Sequence, residues 1–75
     1  MFKFNLGDEV QSMVSGFKGI IVGRVQYLSG CLQYSIVTRV LEDGKTPTMW
    51  IDEPHLKLTE AGKVKVNLDP DEIGR

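Results

Sequence analysis

A chain of 75 residues makes one domain, and at this length folding buries only about 60 to 65% of the surface that the unfolded chain exposes, so a modest core and a homo-oligomer are expected. The net charge is −1, with nine Lys and Arg against ten Asp and Glu, and no basic cluster appears; long nucleic acid is therefore a disfavoured partner, because its binding depends on phosphate neutralisation by a basic face. One cysteine excludes an internal disulfide, no run is long enough to span a membrane, and the opening MFKFNLGDEV lacks the apolar core and cleavage site of a secretory signal, so a soluble cytoplasmic protein is expected.

In chain order, Phe2, Phe4 and Leu6 alternate with Lys3 and Asn5, which predicts an extended segment with one apolar side. Gly7-Asp8 is a turn. Val10 and Val14 bracket a short strand with Met13 on its opposite side, and Ser15 to Gly19 form a glycine-bounded loop in which Phe17 is either a lid on the core or an exposed contact.

The stretch from Gly19 to Ile51 then predicts three antiparallel strands joined by tight turns at Ser29-Gly30 and Asp43-Gly44. A two-residue turn at Ser29-Gly30 pairs Tyr27 with Leu32, Val25 with Tyr34, Arg24 with Ser35 and Val22 with Val37. Because side chains alternate faces, Tyr27, Val25, Tyr34, Ile36 and Ile21 fall on the core face, and Arg24, Gln26, Gln33 and Ser35 on the outer one. The second turn pairs Ile36 with Ile51 on the core side, and Arg39 with Thr48, Val37 with Trp50 and Ser35 with Asp52 on the outer side. Trp50, Val37 and Val22 thus form an outer apolar row bordered by Arg24, Asp52 and Arg39. Two readings of that row stand: a coiled sheet that folds it back into the core, or an exposed binding or self-association surface.

After Ile51, Pro54 removes a ladder donor and predicts a break with a single helical turn. Leu56 and Leu58 resume a strand that closes against the first one. Ala61-Gly62 is a turn, and Val64, Val66 and Leu68 alternate in a further strand that pairs with its own sheet or a neighbour's. The acidic end DPDEIGR is expected to fray. The architecture expected is all-β, a small barrel of five to six antiparallel strands over residues 1–60 with at most one short helical turn, followed by a C-terminal strand and tail over 61–75.

Nothing in the chain carries the spacing of an active site. Cys31 and His55 are the only soft metal ligands, short of the four that a zinc site takes, and neither metal nor cofactor is expected. Cys31 as a nucleophile would need a base and an orienting group, and Asp52 and Glu53, as strand neighbours, point to opposite faces. No phosphate-binding glycine motif is present. The expectation is a protein without catalysis.

Two resemblances follow from these residues. Leu6-Gly7-Asp8-Glu9-Val10, a glycine-containing loop and Gly19-Ile20-Ile21 are similar to the opening of SH3-like barrels of the KOW and Tudor type. The run GFKGIIVGRVQYLSGCLQY, then DGK, then WIDEPHL, resembles a family of short open reading frames of tailed bacteriophages and prophages with the pattern GF.G…R..YL.GC.QY…DGK…W.DE..L, over roughly Gly7 to Leu58. That resemblance implies a phage origin and an accessory role in the host cytoplasm. The leading expectation is a binding protein that sequesters a small anionic, nucleotide-type ligand in a counter-defence role. Trp50, Arg24, Arg39, Gln33, Gln26 and Asp52 would hold it, Trp stacking on the ring and Arg meeting phosphate, in a pocket completed between subunits. The alternative is a protein-interaction module for a host or virion protein, and a third reading is KOW-like nucleic-acid binding.

Overall fold

The computed structural model describes residues 2–38 and 47–65. It is all-β, with five antiparallel strands in one sheet: β1 (Glu9–Ser12), β2 (Lys18–Gln26), β3 (Leu32–Val37), β4 (Thr48–Asp52) and β5 (Leu56–Glu60), with a 3-10 turn (Glu53–His55) between the last two. The expected class and the single helical turn after Ile51 are both present. The Asp43-Gly44 turn, Arg39, Val66 to Leu68 and the acidic end lie outside the described residues.

The strand order is β4-β3-β2-β1-β5, so two strands consecutive in the chain stand at opposite edges. In a flat sheet four interstrand steps would put them about 19 Å apart. The four residue steps from Asp52 to Leu56 span at most about 14 Å. The sheet therefore curls into a small barrel, and the N–H of Met13 at the end of β1 donates to the carbonyl of His55 at 2.7 Å to hold the seam. β5 closes on β1, Ser12 opposite Leu56 and Val10 opposite Leu58.

Inside the curl lie Phe4, Val10, Ile21, Tyr34, Ile36, Ile51 and Leu56, with Phe2, Leu6 and Phe17 packed against them. Phe17 is thus a lid on the core rather than a free contact. Phe2 and Phe4 meet the Tyr34 ring edge to face, with centroids 5.9 and 5.4 Å away. The Tyr34 hydroxyl accepts the backbone N–H groups of Lys3 (3.1 Å) and Phe4 (3.2 Å) and donates to the Glu53 carboxylate. Glu53 also accepts the Lys3 N–H at 3.0 Å. One tyrosine thereby fastens the N-terminal arm to the 3-10 turn. Asp8, buried in the Gly7-Asp8 turn, does the same for the other end of the arm: its carboxylate accepts the N–H groups of Asn5 (2.9 Å) and Gly62 (2.8 Å).

β1 is shorter than the sequence pattern suggests. Ser12 turns its hydroxyl back to accept the N–H groups of Val14 and Ser15 (3.2 and 3.1 Å), and Gly16 takes a φ of 80°. Val14 therefore stands in a turn, exposed, instead of ending a strand.

The β2–β3 register differs from the expected one. A two-residue type I′ turn needs positive φ at both central residues, and only Gly30 (φ 94°) adopts it; no residue other than glycine does among those described. The loop is therefore Leu28-Ser29-Gly30, closed by Tyr27 N–H to the Cys31 carbonyl (2.9 Å) and Gly30 N–H to the Tyr27 carbonyl (2.8 Å). The extra loop residue moves the pairing by one: Arg24 faces Tyr34, Val25 faces Gln33 and Gly23 faces Ser35. A one-residue move transposes faces, so Tyr27 and Val25 turn outward, while Arg24 and Gln26 join the side of Tyr34 and Leu32. An irregularity between Ile21 and Gly23 then inserts Val22 as an extra residue and returns Ile21 to the core opposite Ile36.

The β3–β4 pairing is displaced by two: Tyr34 faces Ile51, Ser35 faces Trp50 and Gln33 faces Asp52. An even displacement leaves every face unchanged, so alternation cannot distinguish the two registers. The outer row expected as Val22, Val37 and Trp50 is Gly23, Ser35 and Trp50 instead.

Candidate functional site

The outer face of β2, β3 and β4 carries the candidate site. Trp50 remains 52% exposed there. It can lie close to the sheet because β2 presents Gly23: a Cβ at that position would stand 3.7 Å from Cη2 of the indole. Beside it runs a chain of hydrogen bonds. The Tyr27 hydroxyl donates to Oε1 of Gln33 (2.8 Å), and Nε2 of Gln33 donates to Oδ1 of Asp52 (2.6 Å). Cys31 Sγ lies 4.0 Å from the same carboxylate oxygen. Gln33 and Asp52 meet because β3 and β4 place them directly opposite; Tyr27 reaches them because the three-residue loop turned it outward.

At the edge of β4 that no described strand pairs with, the surface continues into a shallow depression of about 300 Å³ bounded by Val14, Met49, Trp50, Asp52 and His55. Among the described residues Asp52 is the only acidic one lining it, and no Lys or Arg does. A larger open groove of about 610 Å³ lies over Ile20, Val22, Val37 and Val64, rimmed by Glu9 and Lys18. Thr38, on its border, adjoins residues outside the described set.

The residues expected to form one site separate. Trp50, Gln33 and Asp52 come together. Arg24 does not join them: its guanidinium sits 4.6 Å over the Phe2 ring and donates to the Phe4 carbonyl at 3.2 Å, which secures the N-terminal arm. Gln26 pairs with Leu32 on Arg24's side of the sheet, and Arg39 lies outside the described residues. Tyr27, Cys31, Met49, Val14 and His55 were not foreseen at the site. The signal for the first two was present in the turn, since a Ser-Gly pair cannot supply the two positive φ angles of a two-residue loop.

The shifted acidities belong to the framework. Burial, and then the hydrogen bond to Glu53, push the Tyr34 hydroxyl above the usual phenol range. The bond donated by Tyr34, followed by that from the Lys3 N–H, holds Glu53 below the usual carboxylate range against the opposing effect of burial. Glu9 is lowered chiefly by Lys63 (2.7 Å) and then by the Thr59 hydroxyl (2.8 Å). None of the three is on the Trp50 surface. Among the described residues no three of His, Cys, Asp and Glu come together as metal ligands, and no helix is long and apolar enough to cross a membrane.

Chemically, the surface offers an aromatic face, a thioether and hydrogen-bond acceptors around one carboxylate. Comparison with family models, with curated proteins and with solved structures finds no match to this chain.

Proposed function

We propose that the chain is a non-catalytic binding protein that recognises a polypeptide segment, apolar with a donor-bearing or cationic side chain, on the outer face around Trp50. The observation that carries this reading is a half-exposed indole next to a hydrogen-bonded carboxylate, with no cation among the described residues of its depression. Trp and Tyr are enriched among the residues that carry binding energy at protein interfaces, and Met is enriched in such interfaces. An Arg or Lys of the partner would meet the Asp52 carboxylate and the indole face together. The resemblance to short tailed-phage reading frames supports an accessory role, with the partner a host or virion protein.

Sequestration of a small anionic nucleotide has less behind it. It rested on two arginines beside Trp50, and Arg24 is occupied with Phe2 and Phe4 on the other side of the sheet. Its ring could still stack on Trp50, so the two readings are tested side by side. A displayed peptide library is selected on the wild-type chain and counter-selected on Trp50→Ala, and enriched peptides are titrated by the fluorescence of Trp50, the chain's one tryptophan. Saturable emission changes that weaken on Asp52→Asn are expected. Calorimetry with cyclic di- and trinucleotides forms the second arm. Heat from a nucleotide, with no peptide dependent on Trp50, would overturn the polypeptide reading in favour of the ligand.

A further inference from the structure

The two edges of the sheet are unlike each other. β5 carries Lys57 and Glu60, and its pairing with β1 is broken by an irregularity between Glu9 and Val10; charges and irregularities of this kind discourage strand addition. β4 reads Thr48-Met49-Trp50-Ile51-Asp52. It has no Lys or Arg, no irregularity in its pairing with β3, and the depression between Trp50 and the Ser12–Ser15 turn lies along it.

The direction of the β4 backbone follows from the ladder. The Thr38 N–H donates to the Pro47 carbonyl, and antiparallel pairs alternate between bonded and non-bonded. Ile36 with Met49 and Tyr34 with Ile51 are therefore the bonded pairs. Ser35 with Trp50 is non-bonded, so the N–H and C=O of Trp50 point away from β3, towards the edge that no described strand pairs with. The other side of β3 agrees. Tyr27 is bonded to Cys31, which makes Val25 with Gln33 and Gly23 with Ser35 the bonded pairs of β2 and β3.

We infer that two copies of this chain associate through β4, antiparallel about a two-fold axis at Trp50, to form one continuous sheet. The strand is self-complementary in this register and in few others. Trp50 exchanges two backbone hydrogen bonds with Trp50 of the second copy. Met49 stands opposite Ile51, apolar against apolar. Asp52 stands opposite Thr48 and not opposite another Asp52, so the one charge on the strand meets a hydroxyl-bearing residue rather than its like. Pairing at an edge uses the backbone and leaves the faces open. The two outer faces become neighbours on the same side of the extended sheet, with the two indoles on adjacent strands. The dimer thus brings the two Trp50 faces together on one side of the sheet and occupies the depression along β4, so a partner would meet Trp50 from the outer face.

The test exploits the register. Sedimentation of the full chain across the micromolar range is expected to show a monomer–dimer equilibrium. Thr48→Asp sets a carboxylate against Asp52 twice per dimer, and Thr48→Lys sets an ammonium against it twice. Both variants lose whatever Thr48 contacts within its own copy, so the comparison isolates the pairing across the axis. Thr48→Asp should weaken the dimer and Thr48→Lys should preserve or tighten it, their dissociation constants differing by about tenfold or more at low salt and converging at high salt. Circular dichroism and melting of each variant establish that the fold is retained. A wild-type chain and a Thr48→Lys variant that stay monomeric throughout would overturn the inference. So would a dimer that both substitutions weaken alike, or that neither affects. Peptide titration of Trp50 can fail while this dimer persists, and the reverse, so the two proposals fall separately.

Discussion

Tyr34 and Trp50 are large aromatic residues on adjacent strands, and the sheet gives them opposite fates. Tyr34 is fully buried, its ring meets Phe2 and Phe4, and its hydroxyl is bonded three ways. Trp50, one step along the ladder, keeps half its surface in water. The difference lies in what covers each face. The N-terminal arm crosses the Tyr34 side and supplies backbone donors for its hydroxyl, so the polar tip of the ring costs little to bury. No described segment crosses the Trp50 side. One face is thus built for stability and the other is left available, and substitutions should divide accordingly.

The largest loss is expected at the centre of the covered face. Tyr34→Ala removes the ring against which both phenylalanines pack and should cost about 3–5 kcal/mol. Urea denaturation measures it, and a chain this small would be close to unfolded. Tyr34→Phe keeps the ring but leaves the buried Phe4 N–H without its acceptor, while the Lys3 N–H keeps the Glu53 carboxylate, and should cost about 1–3 kcal/mol. A Tyr34→Ala variant with wild-type stability would show that the arm does not depend on this side chain.

Two glycines sharpen the same contrast. A Cβ on Gly19 would stand 2.4 Å from the Val37 carbonyl oxygen, so backbone must move; Gly19→Ala should cost about 1–3 kcal/mol, which in a domain of this size lowers the melting temperature by about 4–8 °C for each kcal/mol. At Gly23 the nearest atoms are Ser35 Cβ at 3.4 Å and the Trp50 ring at 3.7 Å. Gly23→Ala should be nearly neutral in melting while changing the emission of Trp50. Equal losses at the two positions would mean that the outer face is packed as tightly as the inner.

Acid should act through the arm. The acidity of Glu53 is raised by the fold, its carboxyl held below the usual range by the Tyr34 hydroxyl. The stability this supplies is complete above the pH at which the unfolded carboxyl titrates and disappears as pH falls through the lower folded value. Glu9 contributes with the same sign. Glu53→Gln should therefore lower stability at neutral pH and flatten part of its acid dependence, leaving the portion that belongs to Glu9. Melting curves from neutral to strongly acid pH measure both effects, and an unchanged slope would show that the Tyr34–Glu53 bond does not couple to folding.

Much of this was legible in the chain, and the exceptions have physical causes. Alternation identified Tyr34, Ile36, Ile51 and Ile21 as core and put Trp50, Gln33 and Asp52 outward, because a period of two survives any even displacement of the β3–β4 pairing. It could not fix which outward residues are neighbours, so Trp50 meets Ser35 and Gly23 rather than Val37 and Val22. The odd displacement at Leu28-Ser29-Gly30 moved Arg24 away from the indole and brought Tyr27 in. Turn chemistry held that information, since serine resists the left-handed region. The two devices that fasten the arm, Tyr34 with Glu53 and Asp8 with Gly62, join residues 19 and 54 apart and leave no mark in any local pattern.

A small effect is expected on the open face, and it is the one that separates the faces most cleanly. Trp50→Ala deletes the largest side chain on β4, yet its ring is half in water and its described neighbours at the sheet are a glycine and a small serine. Folding stability should change by about 1 kcal/mol. A covered tryptophan would cost several times as much. Read by chemical denaturation on far-ultraviolet ellipticity, a change no larger than about 1 kcal/mol paired with loss of peptide binding would assign Trp50 to recognition. A loss comparable to that of Tyr34→Ala would mean that the indole supports the fold, and the recognition assigned to Trp50 would fall.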